Sequence, residues 1–370
     1  MGGVRDNTLS KPQGGVMDGP GAGKERPMTT AEARFLLSAL AYPGGPENPR
    51  RELSGLARST YHSVRARVET QGWIQESFVP DPAALGYHRV TFLLGRVFAE
   101  RRAETSRRLS ETPGVVSLWL LPQTIFAVAF HKGEEDEGRF LARAKEGSPF
   151  SQLNTLSCGI RHDQLPVYFD YEGLWSHLIG NESLISYPTA VSHREERGEV
   201  SVRDRFTMEE TVRTGSFRRG MLGLPRRGRG VVSRQLVGPR VFLRPWRLPV
   251  YQGRAIDQFV FVTGLLTRGT SFDLLSALTA EARAYPFLFA TDGTRVLLGA
   301  MGQTRPVSPG TIGRRRPVLE VLGRSLTEIE NLVEPTVGCE PVIEHAYGTL
   351  FPPRSPLAKA PAPGGMSKTP

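Results

Sequence analysis

Two stretches of this chain, about 168 residues apart, carry the same order of hydrophobic periods. In the first, YHRVTFLLGRVF (87–98) reads as a strand and AERRAETSRRLSET (99–112) as a charged helix. GVVSLWLL and IFAVAFHK form a hairpin through Pro122 and Gln123, EEDEGRFLARAKE (134–146) a second helix, and LNTLSCGI a last strand continuing toward PVYFDY (166–171). The pattern is βαββαβ, the ferredoxin-like order, in which helices cover one face of a sheet. Strands this apolar cannot leave the other face in water, so that face needs a partner.

The second stretch repeats the order. IDQFVFVTGLL (256–266) is a strand, SFDLLSALTAEARAY (271–285) a helix, and FLFATDGTRVLLGAMG (287–302) a hairpin turning at Asp292-Gly293. PVLEVLGRSLTEIENLVEP (317–335) supplies a second helix and CEPVIEHAYGTL (339–350) a final strand. The fold class expected is therefore α+β, a helical unit followed by a ferredoxin-like domain, with a second diverged copy of both.

Ahead of each βαββαβ block stands a basic stretch opening on Gly-Leu. In the first, MTTAEARFLLSAL starts a helix over 29–41 with Thr29 or Thr30 as N-cap, and RRELS (50–54) is a short second helix with Leu53 inward. GLARSTYHSVRARVETQGW (55–73) holds the third, over 59–71. Tyr61, Val64 and Val68 recur at helical spacing and form its buried stripe, Ser59 or Thr60 caps it, and Gly72 stops it before WIQESFVP, which can form a wing. The outward side is then Arg58, Ser59, Thr60, His62, Ser63, Arg65 and Arg67. Short hydroxyls at a helix start allow close approach to phosphate, and arginine grips phosphate or reads guanine edges. That geometry suits a recognition helix in the DNA major groove.

The second basic stretch is GLPRRGRGVVSRQLVGPRVFLRPWRLP (223–249). Gly228 and Gly230 weaken any helix there, each by about 1 kcal/mol. Yet eleven arginines and no acid occur between Glu210 and Asp257, with Arg226, Arg227, Arg229 and Arg234 among the densest. Such a run repels itself unless a polyanion neutralises it, so it too is expected to contact DNA. A formal net charge of +10 over 370 residues points the same way.

The domain reading is a disordered leader (1–27), a winged helix-turn-helix (28–83), a ferredoxin-like domain (84–171), a linker (172–200), a diverged basic helix-turn-helix-like segment (201–250), a second ferredoxin-like domain (251–350) and a disordered tail (351–370). The leader's DGPGAGKE (18–25) fails as a phosphate loop, with Asp18 and Glu25 where Gly and Ser or Thr belong.

GLARSTYHSVRARVETQGWI followed by FVPDPAALGYHRVTFLLGRV resembles the leucine-responsive regulatory protein/AsnC family of transcriptional regulators over about residues 28–170. Pro80-Asp81-Pro82 and Leu85-Gly86 stand where that family carries a D-P-x-x-L-G phrase. The resemblance implies double-stranded DNA as partner for the first module, and pairing or small-molecule effector binding by the second. Members pair these sheets between two chains, so a chain with two of them is expected to form an intramolecular pseudo-dimer or a homodimer.

Chemistry is sparse elsewhere. The two cysteines, Cys158 and Cys339, form neither a ligand cluster nor a disulfide framework, which suits a reducing cytoplasm and a nucleoid-associated protein. No catalytic residue, metal site or cofactor motif stands out, and Cys158 with His162 reads as a buried small residue near a loop histidine. VVSLWLLPQTIFAVAF (115–130) is too short and broken for a membrane span. Two alternatives remain. Haem-precursor (siroheme-type) decarboxylases resemble the same duplicated unit and would place His131 or His162 on a tetrapyrrole. A sequence-indifferent architectural DNA-binding protein would share the basic faces.

Overall fold

A computed structural model describes residues 26–43, 47–160, 200–215, 237–251, 256, 258–266, 271–282, 284–302, 318–333 and 342–351. Its first helix, α1 (Thr30–Ala41), begins at a reciprocal capping box. Thr29 Oγ1 accepts from the Glu32 amide at 3.3 Å, and Glu32 Oε2 accepts from the Thr29 amide at 2.8 Å. Two amides that helix geometry leaves unpaired are thereby satisfied. Phe35, Leu36 and Ala39 of α1 are buried in one core with Tyr61, Val64 and Val68 of α3 (Arg58–Thr70), and the Phe35 and Tyr61 rings meet edge-on at 5.2 Å.

Between them, α2 (Glu47–Ser54) is longer than RRELS suggests. Pro49 sits in its first turn, where no backbone N–H is required, so a proline-rich stretch that reads as loop is helical. Leu53, expected inward, is 60% exposed. The inner side belongs to Arg50 and Ser54. Arg50 Nε donates to the Tyr42 carbonyl and Nη1 to Glu76, both at 2.6 Å, so a guanidinium rather than a leucine anchors this helix. Gly72 ends the module at φ +63°, a conformation that glycine adopts without strain.

The wing strand β1 (Ile74–Pro80) has a distant partner. It pairs antiparallel with β6 (Val237–Leu243), Ile74 opposite Leu243 and Pro80 opposite Val237. The first domain then runs β2 (Arg89–Val97), α4 (Arg102–Ser110), β3 (Val115–Leu120), β4 (Thr124–His131), α5 (Glu134–Lys145) and β5 (Phe150–Gly159). Its order β3-β4-β2-β5 is ferredoxin-like, with every pair antiparallel. After α6 (Val202–Thr214) and β6, the second domain runs β7 (Gln258–Leu266), α7 (Ser271–Ala277), β8 (Ala284–Thr291), β9 (Arg295–Gly302), α8 (Val318–Ser325) and β10 (Leu326–Val333). Its order β10-β7-β9-β8 is the same permutation.

Two sequence expectations for the second domain fail. The helix expected over 317–335 stops at Ser325, and the rest becomes β10, the fourth strand. Its pairing with β7 slips twice, between Leu326 and Glu328 and between Ile329 and Asn331. Such irregularities break strand alternation, so the apolar residues of LTEIENLV fall at a spacing that imitates a helix. The final strand expected over 339–350 is only β11 (Val342–His345), and it crosses to the first sheet, pairing with β3 (Val342 opposite Leu120).

The sheets stack face to face with helices outside. Leu109, Phe140 and Ala144 cover the outer face of the first sheet, and Leu274, Leu278, Val321 and Leu322 that of the second. Between the inner faces, Trp119 and Phe126 meet Phe259, Phe261 and Phe287, with ring centroids 4.8 Å apart for Phe126–Phe261 and 5.2 Å for Trp119–Phe287. Gly299 makes room, since a Cβ there would lie 2.5 Å from Phe287 Cζ. Burying each such ring contributes about 2–3 kcal/mol. The face that needed a partner finds it in the second sheet.

Candidate nucleic-acid interface

Helix α3 presents its proposed contacts outward. Arg58, Ser59, Thr60, His62 and Ser63 are exposed, and Arg65 and Arg67 are half-exposed. The helix starts one residue before the expected cap. Ala57 is the N-cap and no side chain caps it, so Ser59 and Thr60 lie within the first turn with exposed hydroxyls.

Acidic neighbours divide this set. Arg65 Nε bonds Glu69 Oε1 at 2.7 Å, a bond that holds the guanidinium pKa above its ordinary value. His62 Nε2 lies 3.0 Å from Glu47 Oε1. Arg67 Nη1 lies 3.0 Å from Glu32 Oε1, which Arg26 also reaches. Burial alone would raise the Glu32 carboxyl, but hydrogen bonds from Thr29, Arg67 and Arg26 hold it below the ordinary carboxylate range. Arg58, Ser59, Thr60 and Ser63 make no side-chain hydrogen bond or ion pair among the described residues.

Sequence reasoning passed over Arg51 on α2, which is half-exposed and whose side chain is likewise unpaired among the described residues; its signal was the Arg50-Arg51 doublet. Arg226, Arg227, Arg229 and Arg234 lie outside the described residues, as do the leader motif, His162 and PVYFDY.

Of the groups considered for catalysis, His131 and Cys158 lie among the described residues. His131 is 2% exposed, with Nε2 3.1 Å from Thr91 Oγ1, and burial lowers its pKa to about 4. Burial pushes the Cys158 thiol up to about 11, which suppresses the reactive thiolate. Among the described residues no group of His, Cys, Asp and Glu is arranged to hold a metal, and no helix is long and apolar enough to cross a membrane.

No protein-family model matches the sequence. The chain is 35% identical over 75 residues to the HTH-type transcriptional regulator FL11 of Pyrococcus horikoshii. That stretch is 19% of this chain, and the chain spans half the length of that relative. Among solved structures, Escherichia coli AsnC aligns at 13% identity over 38% of this chain and 97% of its own, with a TM-score of 0.31. An AsnC family transcriptional regulator from Agrobacterium tumefaciens aligns at 15% over the same shares, also at 0.31. The siroheme decarboxylase NirDL aligns at 11% over 86% of this chain and 96% of its own, at 0.37. With its helical module, its 4-1-3-2 sheet and its likeness to a curated helix-turn-helix regulator, the chain resembles the leucine-responsive regulatory protein/AsnC family.

Proposed function

We propose that the chain is a DNA-binding transcriptional regulator whose helix α3 enters the major groove. The observation that carries this is the start of α3, where one arginine and three hydroxyl-bearing residues stand exposed without side-chain partners among the described residues. Ser59, Thr60 and Ser63 admit close approach to phosphates, and Arg58 reaches phosphate or base edges. The Arg65–Glu69 pair is a surface pair of about 0.3–0.5 kcal/mol, which a phosphate can displace. His62 contacts the duplex from the same side. Arg67 belongs to the interface through its exposed portion, but Glu32 makes it mainly a positioning residue. Arg51 adds a phosphate contact from α2, and the arginine-rich sequence holding Arg226, Arg227, Arg229 and Arg234 is a further source of phosphate contacts.

In this reading the two stacked sheets let one chain do the work of a pair, as an intramolecular pseudo-dimer. They also offer sites for a small-molecule effector. The protein acts in the cytoplasm, on the nucleoid.

The test is retention of duplex selected from random DNA in a gel shift, then competition with bulk DNA. A regulator keeps its fragment, an architectural binder loses it, and a chain that retains no duplex at low salt sinks the proposal. Titration with haem or its precursors separates the decarboxylase alternative, which requires a Soret shift.

A further inference from the structure

A cleft of about 800 Å³ opens beside α5 and takes its walls from both halves of the chain. Tyr87, Phe130, Phe140 and Phe351 line it with aromatic surface, each less than a tenth exposed. Lys132, Arg139 and Arg143 share the lining with Arg213 of α6. The two acids in the lining, Glu111 and Asp136, are already engaged by Arg107 (3.4 Å) and by Arg139. Arg213 is held by Glu209 at 2.9 Å. Lys132 and Arg143 meet no carboxylate among the described residues, although Lys132 Nζ lies 5.9 Å from the Tyr87 ring centre.

We propose that this cleft binds a small aromatic monocarboxylate. Two cations that meet no carboxylate among the described residues, in a lining rich in aromatic rings, select a carboxylate joined to a flat apolar body. The volume falls in the range of small-molecule sites. An uncharged aromatic fits worse, because it leaves both cations without a counter-charge. His131, also in the lining, stays neutral and adds no third charge.

The site also bears on the helical module. Helix α6 packs against β1 and β6, the ribbon that follows α3, and its Arg213 lines the cleft, so a ligand there sits beside the helix bracing that ribbon. Calling the ligand an effector rests on the regulatory reading above, whereas its binding does not.

The experiment is calorimetric titration of the full chain with phenylacetate and indole-3-acetate, and with the corresponding amides. A charge-assisted hydrogen bond is worth enough that at least one acid should bind about tenfold more tightly than its amide. Arg143→Ala and Lys132→Ala should each weaken it by about five- to tenfold, while Arg101→Ala on the far surface should not. No binding of either acid at about 5 mM, equal binding of acid and amide, or unchanged affinity in both cleft variants overturns the assignment. Gel shifts with and without the acid separate the two readings. Binding with no duplex retained defeats the regulator and leaves the cleft standing. Retained duplex without acid binding defeats the cleft alone.

Discussion

Arg67 on α3 shares the Glu32 carboxylate with the cap of α1, at 3.0 Å, and the Glu32 side chain has no solvent exposure. The helix proposed to read DNA is thus tied to the start of the helix beneath it.

Glu32→Ala should remove the cap and strand Arg67. A loss of about 2 kcal/mol in thermal or urea unfolding is expected, combining a helix cap with a charge-assisted hydrogen bond. Because the folded carboxyl is held below its ordinary value near 4.5, its stabilisation is present above that pH and fades as pH falls through the lower folded value. Glu32→Gln should flatten that acid limb; an unchanged profile would refute the role.

On DNA the ranking reverses. Arg58→Ala should weaken binding by about 1–3 kcal/mol with little change in melting temperature. Arg65→Ala should weaken it less, after losing only a surface pair, and Arg67→Ala should act chiefly on stability. Fluorescence anisotropy near 100 mM salt (about that of the cell) checks the order. Equal affinity of the Arg58 variant and the parent would count against α3 as the reader.

Trp119 lies nearly parallel to both Phe259 and Phe287 of the second sheet, with ring centroids 5.6 and 5.2 Å away. Trp119→Ala should cost about 3–5 kcal/mol and loosen both halves together. Light scattering of the parent should give a mass near 40.8 kDa. A mass near twice that would show that pairing between chains is still required.

His131 keeps a folded pKa of about 4, against 6.5 for an ordinary histidine. Between those values the unfolded chain takes up a proton that the folded chain refuses, so stability should fall as pH drops from 6.5 toward 4. His131→Gln should reduce that slope in urea melts at stepped pH; equal slopes would refute it.

Much of this was legible in the residues. Thr29 ahead of an apolar helical period announces a helix start, Tyr61, Val64 and Val68 announce a buried stripe, and Asp292-Gly293 announces a turn, where Asp292 Oδ1 accepts the Arg295 amide at 2.8 Å. What failed were places where a partner overrides the local pattern. Leu53 yields its inner position to Arg50, because Glu76 and the Tyr42 carbonyl satisfy a guanidinium there.

By itself the sequence determined the periods: two ferredoxin-like strand-and-helix orders, and a helix whose inner stripe leaves a basic, hydroxylated outer side. Those signals act over a few residues, since side chains repeat every two or three to four positions. Only the tertiary structure decided that β1 pairs with β6, Ile74 meeting Leu243 169 positions later, and that β11 closes onto β3 of the other half. It also decided which arginines of α3 are held by acids of the described residues. Pairing across such distances depends on complementary edges and charges brought together by packing, which no local period encodes.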